Sequence, residues 1–223
     1  KYIMDADIFV CVPITDYEVP LETIKYIRKN SNATLIFDAH GPTNTVNVLG
    51  ERSIRFWVDR DMWLPYIDVL KMNLEESRCA WFQKEYNPND LKPLHEVATS
   101  HLDDLAAHVL SHGVRSLIVT LDAGGSAVYF QSGGRLIKEI VPSIPVGNVV
   151  DTTGCGDSFA GGLGYGLLED PEDYVRAARY ANALGAQRTQ GRGFDVFNGT
   201  PGIHPFVDLD LWGSGFGLHA IGH

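Results

Sequence analysis

Short apolar runs alternate with residues of helical period along most of this chain, and that alternation limits the fold more than any other feature. Ile8-Phe9-Val10-Cys11-Val12 is continuously apolar, the pattern of a strand buried on both faces. Thr34-Leu35-Ile36-Phe37, ending at Asp38, gives a second buried strand, and residues 67–72 and 117–121 give a third and a fourth. Between the first two, Leu21, Ile24, Tyr26 and Ile27 mark a helix over 19–28 that closes on Lys25, Arg28 and Lys29, cations suited to a helix C-terminus. A second helix is expected over 74–84, and Leu102, Leu105, Ala106 and Val109 recur at helical spacing in a third. Beyond the Gly124-Gly125 turn, 127–130 and 136–141 read as short antiparallel strands, followed by helices over 157–168 and 172–187. Residues 39–60 bear Gly and Asn and fit neither period. Strands alternating with helices in this way form a mostly parallel sheet covered on both faces, an α/β fold.

Composition narrows the function. The 223 residues suggest one large domain or one and a half at about 150 residues each, and 44% apolar against 21% charged residues is ordinary for a globular chain. Eighteen basic and 28 acidic residues leave a net charge of −10, which argues against nucleic-acid or anionic-membrane partners. Cys11, Cys79 and Cys155 are odd in number and widely spaced, as expected of free thiols in a reducing compartment. No apolar run is long enough to span a bilayer, and the acidic residues Asp5 and Asp7 interrupt any signal peptide. A cytoplasmic protein is the expectation. The chain starts at Lys1 without an initiator Met, so it reads as a fragment. Eight of the 35 residues from 189 to 223 are Gly, and 194–223 is expected to form a loosely ordered Gly-rich tail.

The chemistry concentrates in Asp151-Thr152-Thr153-Gly154-Cys155-Gly156-Asp157-Ser158-Phe159-Ala160-Gly161-Gly162. Small residues let backbone N–H groups converge, and the helix that follows adds its positive end, which together make an anion site. A carboxylate placed there repels a phosphate unless it takes part in the reaction. Phosphoryl transfer reconciles the two: amides hold the charge that develops on the moving group, and Asp157 takes a proton from the attacking hydroxyl. The same spacing also fits a Gly-rich helix start in which Asp157 complements the dipole.

DTTGCGDSFAGG resembles the C-terminal signature of the ribokinase-like (PfkB) carbohydrate kinases, DTTGAGDxFxxG, with Cys155 in place of the usual small residue. The resemblance implies that Gly154, Cys155 and Gly156 supply the anion-hole amides and Asp157 the catalytic base. Asn73-Leu74-Glu75-Glu76 resembles the family's NxxE element, which organises magnesium and phosphate. Asn73 and Glu76 are then candidates for nucleotide binding, with Glu76 reaching Mg2+ through water; the same spacing fits a helix cap whose Glu reaches back. Thr120-Leu121-Asp122-Ala123-Gly124-Gly125 resembles the T-L-G-x-x-G nucleotide loop, with Asp122 replacing its first Gly, and nominates Thr120 and Gly125. A plain hairpin turn is the other reading there. Asn182 lies in a segment resembling the one that lines the adenine pocket, where Ala181 and Ala183 are expected to pack. Asp151 is a candidate ligand for the K+ ion the family often uses.

The resemblance runs from about residue 5 to 193 and implies a ribokinase-like three-layer α/β/α sandwich whose N-terminal strands, lid and sugar-gripping residues are missing. The expected domain is 1–193. The implied activity is ATP-dependent transfer of phosphate to a sugar hydroxyl. A half-domain that binds nucleotide without turnover, and needs a partner chain or its missing section, is the alternative. A homodimer is admitted as an assembly. No GxxxxGK[ST] occurs, and no GxGxxG joins a strand to a helix. His101, His108 and His112 share a helix face with no carboxylate or Cys nearby in sequence, and read as a solvated flank. Phe56, Trp57, Trp63 and Tyr66 read as packing. Cys155, at a helix N-terminus, is expected to have a lowered pKa and to be oxidisable.

Overall fold

The computed structural model describes residues 2–16, 18–81, 99–197 and 219–220. The chain divides into two compact units, Lys1–Val119 and Thr120–His223.

The first unit runs β1 (Ile8–Cys11), α1 (Leu21–Asn30), β2 (Thr34–Asp38), α2 (His40–Thr43), β3 (Asn44–Val46), β4 (Arg52–Ile54), α3 (Arg60–Trp63), β5 (Val69–Asn73), α4 (Leu74–Trp81), α5 (Leu102–Ser111) and β6 (Ser116–Thr120), whose last residue opens the second unit. β1 pairs parallel with β2, Ile8 opposite Thr34 and Cys11 opposite Phe37. β2 pairs parallel with β5, Ile36 opposite Val69 and Asp38 opposite Lys71. β6 follows β5 in the strand order. The buried residue Asp68 fixes this register. Its carboxylate accepts from the Leu35 amide at 2.8 Å and from Arg28 and Arg115, while its carbonyl accepts from the Arg115 and Ser116 amides. Leu35, Ile36 and Phe37 are buried as their run predicts, and each such side chain contributes about 1.5–3 kcal/mol. Phe37 meets Trp57 and Trp63 with ring centroids 6.2 and 5.4 Å apart, so those aromatics pack as expected.

Two expectations are corrected here, and one is met as far as the described residues reach. β1 stands at the end of the strand order and leaves Val10 41% exposed, so it is not buried on both faces. An apolar run announces a strand but does not say how many neighbours it has. Residues 39–60 hold the short helices α2 and the start of α3 and the antiparallel pair β3–β4. The helix expected over 74–84 is described as far as Trp81; residues 82–84 lie outside the described residues.

In the second unit β7 (Ser126–Ser132) and β8 (Arg135–Val141) form an antiparallel hairpin, Ser126 opposite Val141. Gly133 and Gly134 turn it with φ of 57° and 75°, the left-handed pair that a tight hairpin requires. α6 (Cys155–Glu169) packs on α7 (Tyr174–Arg188). A Cβ on Gly162 would lie 2.7 Å from the Ala181 Cα, and one on Gly166 2.5 Å from the Ala177 Cα. The Gly-rich run of α6 is therefore a close helix crossing. α6 starts two residues before its expected first residue because Gly154 caps it, and α7 starts two residues late because Asp173 accepts from the Arg176 amide at 2.8 Å. Of the expected tail, 194–197 form a single turn and β9 (His219–Ala220) pairs antiparallel with Ile137 and Lys138 of β8; 198–218 and 221–223 lie outside the described residues.

Candidate functional site

In the second unit the signature residues build one turn at the start of α6. Gly154 is its N-cap at φ 83° and ψ 5°, the left-handed region, and a Cβ there would also approach the Arg188 Nε at 3.2 Å. Only Gly meets both conditions without strain. Asp151 Oδ1 accepts from the Thr153 amide at 2.9 Å, and the Val150 and Asp151 amides donate to the Thr189 carbonyl at 2.7 and 3.3 Å. These bonds tie the loop to the end of α7. Inside the turn Cys155 N donates to the Thr152 carbonyl at 3.2 Å, while Ser158 closes on the Gly154 carbonyl through its amide at 2.9 Å and its hydroxyl at 2.8 Å. The amides of Gly154, Gly156 and Asp157 make no backbone hydrogen bond among the described residues, as the first turn of a helix dictates. Of the three amides assigned from sequence, Gly154 and Gly156 are thus free, and Cys155 shares its own with Thr152.

Asp157 stands exposed in this first turn. Hydrogen bonds from Thr153, its backbone amide first, hold the Asp151 carboxyl below the usual range, and Arg188 and Arg192 act in the same direction. Burial pushes the Cys155 thiol up, and the nearby Arg188 offsets this only in part. The expected lowering of that thiol is therefore corrected: partial burial outweighs the favourable charges. Arg188, which sequence reasoning missed, is buried with its guanidinium against Gly154 and its Nη1 bonded to the Gly191 carbonyl at 2.6 Å. A cation in the last turn of a helix was the available signal.

Thr120 ends β6, and the loop after it closes by Leu121 N to the Gly125 carbonyl at 2.8 Å and Gly125 N to the Asp122 carbonyl at 3.1 Å. Asp122 sits at φ 50°, a conformation that Asp tolerates better than most residues. That explains how it stands where the related loops carry Gly. A Cβ on Gly125, at φ 90°, would run into the backbone of Val141 and Ser143. Asn182 reaches the same strand end, its Nδ2 donating to the carbonyls of Val141 at 3.0 Å and Pro142 at 3.1 Å. Gly125 and Asn182 thus meet at the exit of β8, with the side chain of Asn182 buried and its amide hydrogens committed. Ala181 and Ala183 are buried in packing, as expected.

In the first unit Asn73 ends β5 and Glu76 lies in the first turn of α4. Asn73 N donates to Glu76 Oε2 at 2.7 Å, Asn73 Nδ2 to Oε1 at 3.0 Å, and Glu76 N to Asn73 Oδ1 at 2.8 Å. This is the reciprocal helix cap. His40 Nδ1 adds a 2.8 Å contact to Glu76 Oε1, and the Glu76 side chain is only 3% exposed. Behind it, Lys71 Nζ donates to Asp38 Oδ2 at 2.6 Å and the His40 amide to Asp38 Oδ1 at 3.0 Å. Burial raises the Asp38 pKa against the pull of Lys71, and the Glu76 hydrogen bond raises that of His40. Asp38, His40 and Lys71 were not singled out from sequence, yet they form a continuous polar network at the C-terminal ends of β2 and β5, where ligands of open α/β sheets bind. The histidines also differ from expectation. His101 is buried, its Nε2 2.8 Å from Ser77 Oγ, and His108 finds a carboxylate after all, Asp61 Oδ1 at 2.8 Å. No helix of the described residues is long and apolar enough to cross a membrane.

The family model for pfkB family carbohydrate kinases matches residues 26–198. The chain is similar to a ribokinase of Lactococcus lactis subsp. lactis, 42% identical over 79 residues that make up 34% of this chain and 25% of that protein. It is also similar to adenosine kinase 1 of Arabidopsis thaliana, 25% identical over 171 residues, 75% of this chain and 46% of that one. The solved structure of Arabidopsis thaliana ribokinase complexed with ribose and ATP matches with a TM-score of 0.61 at 21% identity, over 85% of this chain and 52% of that chain. This likeness shows the fold, the ribokinase-like α/β architecture expected from the sequence. The chain spans between a quarter and a half of the length of these two curated relatives.

Proposed function

The chain belongs to the pfkB family of carbohydrate kinases, and from that premise we propose that it carries the phosphoryl-transfer end of an ATP-dependent kinase acting on a sugar hydroxyl. The observation that carries this reading is the turn at 154–157, where the amides of Gly154, Gly156 and Asp157 make no backbone hydrogen bond among the described residues and Asp157 is exposed. In the reaction the acceptor hydroxyl gives its proton to the Asp157 carboxylate as its oxygen attacks the γ-phosphorus. The bond to the bridging oxygen breaks, and ADP leaves with that electron pair. The amides of Gly154 and Gly156, with Cys155 assisting, stabilise the charge on the transferred group, and the positive charge of Arg188 beside Gly154 works in the same direction. Thr120, Gly125 and Asn182 form the proposed nucleotide side, supported by their grouping around the loop after β6 and the exit of β8.

Both Glu76 oxygens are engaged by Asn73 and His40, a donor set that suits contact with Mg2+ through water and not direct ligation. Such an ion would neutralise phosphate charge. Asp151, with its carboxyl held in the ionised form, is the proposed K+ ligand. A cytoplasmic setting, a sugar substrate, a homodimer as the assembly and no nucleic-acid or membrane partner complete the proposal, and the net charge of −10 supports its last part.

A second reading has its own observation. β1 ends the strand order with Val10 exposed, as expected of a half-domain that pairs with further strands before it turns over. Phosphate transfer from ATP to a panel of sugars and nucleosides, with Asp157→Asn as control, separates the two. Transfer that vanishes in the variant supports the kinase; ATP binding without transfer in the unmodified chain supports the half-domain.

A further inference from the structure

A cluster in the first unit stands apart from every residue assigned to the proposed phosphoryl transfer. On α5, His108 and His112 are one helical turn apart, with ring centroids separated by 4.3 Å. Asp61, on α3, faces them. One candidate ligand atom from each of Asp61, His108 and His112 lies within 4.8 Å of the others. Each is at least partly open to solvent, so water can complete a coordination shell.

The hydrogen bonds favour ligation. His112 Nδ1 lies 2.8 Å from the carbonyl of His108, which places the ring proton on Nδ1 and leaves Nε2 with its lone pair. An imidazole whose second nitrogen donates to a backbone carbonyl is the usual orientation of a metal ligand. Asp61 Oδ1 is taken by Arg60 Nε and His108 Nε2, both at 2.8 Å, while its Oδ2 accepts no hydrogen bond among the described residues. A metal ion would take the place of the His108 Nε2 proton and compete there with Arg60, whose Nη2 lies 3.2 Å from that nitrogen while its Nη1 is held by the Ala80 carbonyl. That competition sets the affinity below that of an enclosed structural zinc centre.

We infer that Asp61, His108 and His112 form a surface site for a divalent transition metal of the Zn2+, Ni2+ and Cu2+ class. Two imidazoles and one carboxylate with open positions select these ions over Mg2+ and Ca2+, which prefer all-oxygen shells. Binding clips α3 to α5 and thereby stabilises the folded first unit.

The test uses the full chain, stripped with a chelator and titrated with Zn2+ by calorimetry, with the unfolding temperature followed in parallel. The unmodified chain should bind one equivalent in the micromolar range and unfold at a higher temperature with Zn2+ present. His112→Ala and Asp61→Asn should each weaken binding roughly tenfold or more and abolish the thermal shift. Mg2+ at the same concentrations should give neither signal. Absence of saturable Zn2+ binding overturns the site, as does equal binding by the unmodified chain and His112→Ala, which would place the metal on other histidines of the chain.

Discussion

Two helix starts in this molecule treat their carboxylates in opposite ways. At α4, Glu76 is buried and both its oxygens are occupied, by the amide and side chain of Asn73 and by His40. At α6, Asp157 is exposed, and its own amide and those of Gly154 and Gly156 bond to nothing in the described backbone. Both sequences place a carboxylate within the first turn, and both resemble motifs of one family. Hydrogen-bond saturation separates the two roles. A carboxylate whose hydrogen bonds are complete builds the end of a sheet, while an incomplete turn keeps its bonding capacity for a ligand.

At the open turn, one carboxylate decides activity. Asp157→Asn should lower turnover by about 10²–10⁴-fold, the usual worth of a general base, and leave the unfolding free energy within roughly 0.5 kcal/mol of the parent, as for other exposed positions. Initial rates and urea denaturation measured on one preparation check both halves. A variant that unfolds as readily as it loses activity would make Asp157 a structural cap like Glu76.

The closed end should respond in reverse. Glu76→Gln keeps the shape but turns an amide toward donors that need an acceptor, so it should cost about 1–3 kcal/mol of stability. Urea denaturation reads this directly, and ATP affinity should fall less than stability predicts if the ion contact runs through water. Gly154→Ala then joins the two roles, because Gly154 builds the turn and also offers an amide. The left-handed conformation costs a non-Gly residue about 1–2 kcal/mol, and the approach of its Cβ to Arg188 at 3.2 Å adds to that. Turnover should fall together with stability, which distinguishes it from Asp157→Asn.

What the sequence revealed follows the same division. The open turn was legible because its chemistry is local: DTTGCGD contains the left-handed Gly, the amides and the carboxylate within seven residues. The Asn73–Glu76 cap was legible for the same reason, at i, i+3. The network behind it was not. Asp38 meets Lys71 only because β2 and β5 pair in that register across 33 residues, and Asp61 meets His108 across 47. Arg188 reaches Gly154 only through the packing of α7 beside α6. The exposed face of β1 escaped notice because an apolar run carries no record of its neighbours. The short elements between 39 and 60 escaped because tertiary bonds hold them, such as Arg55 N to the Thr43 carbonyl at 2.8 Å, and not a period of their own.

The smallest effect concerns pH and tests whether the closed end is charged. The hydrogen bond to Glu76 raises the pKa of His40 above its ordinary value of 6.5, with burial opposing and the charges of Glu76 and Asp38 assisting. A histidine raised in the folded state binds its proton more tightly there than in the unfolded chain. Its contribution is therefore complete below about pH 6.5 and fades as pH rises through the folded-state value. Burial raises Asp38 too, to about 6, so its ionisation weakens the fold from about pH 3.8 up to the foot of the interval in which His40 titrates. Between pH 6 and 8.5 the unmodified chain should thus lose thermal stability faster than His40→Gln, whose side chain keeps a donor for Glu76 but does not titrate. The two unfolding curves should converge toward alkaline pH. A constant gap across that range would mean that His40 holds Glu76 as a neutral donor, and that the closed end is built from hydrogen bonds without an ion pair.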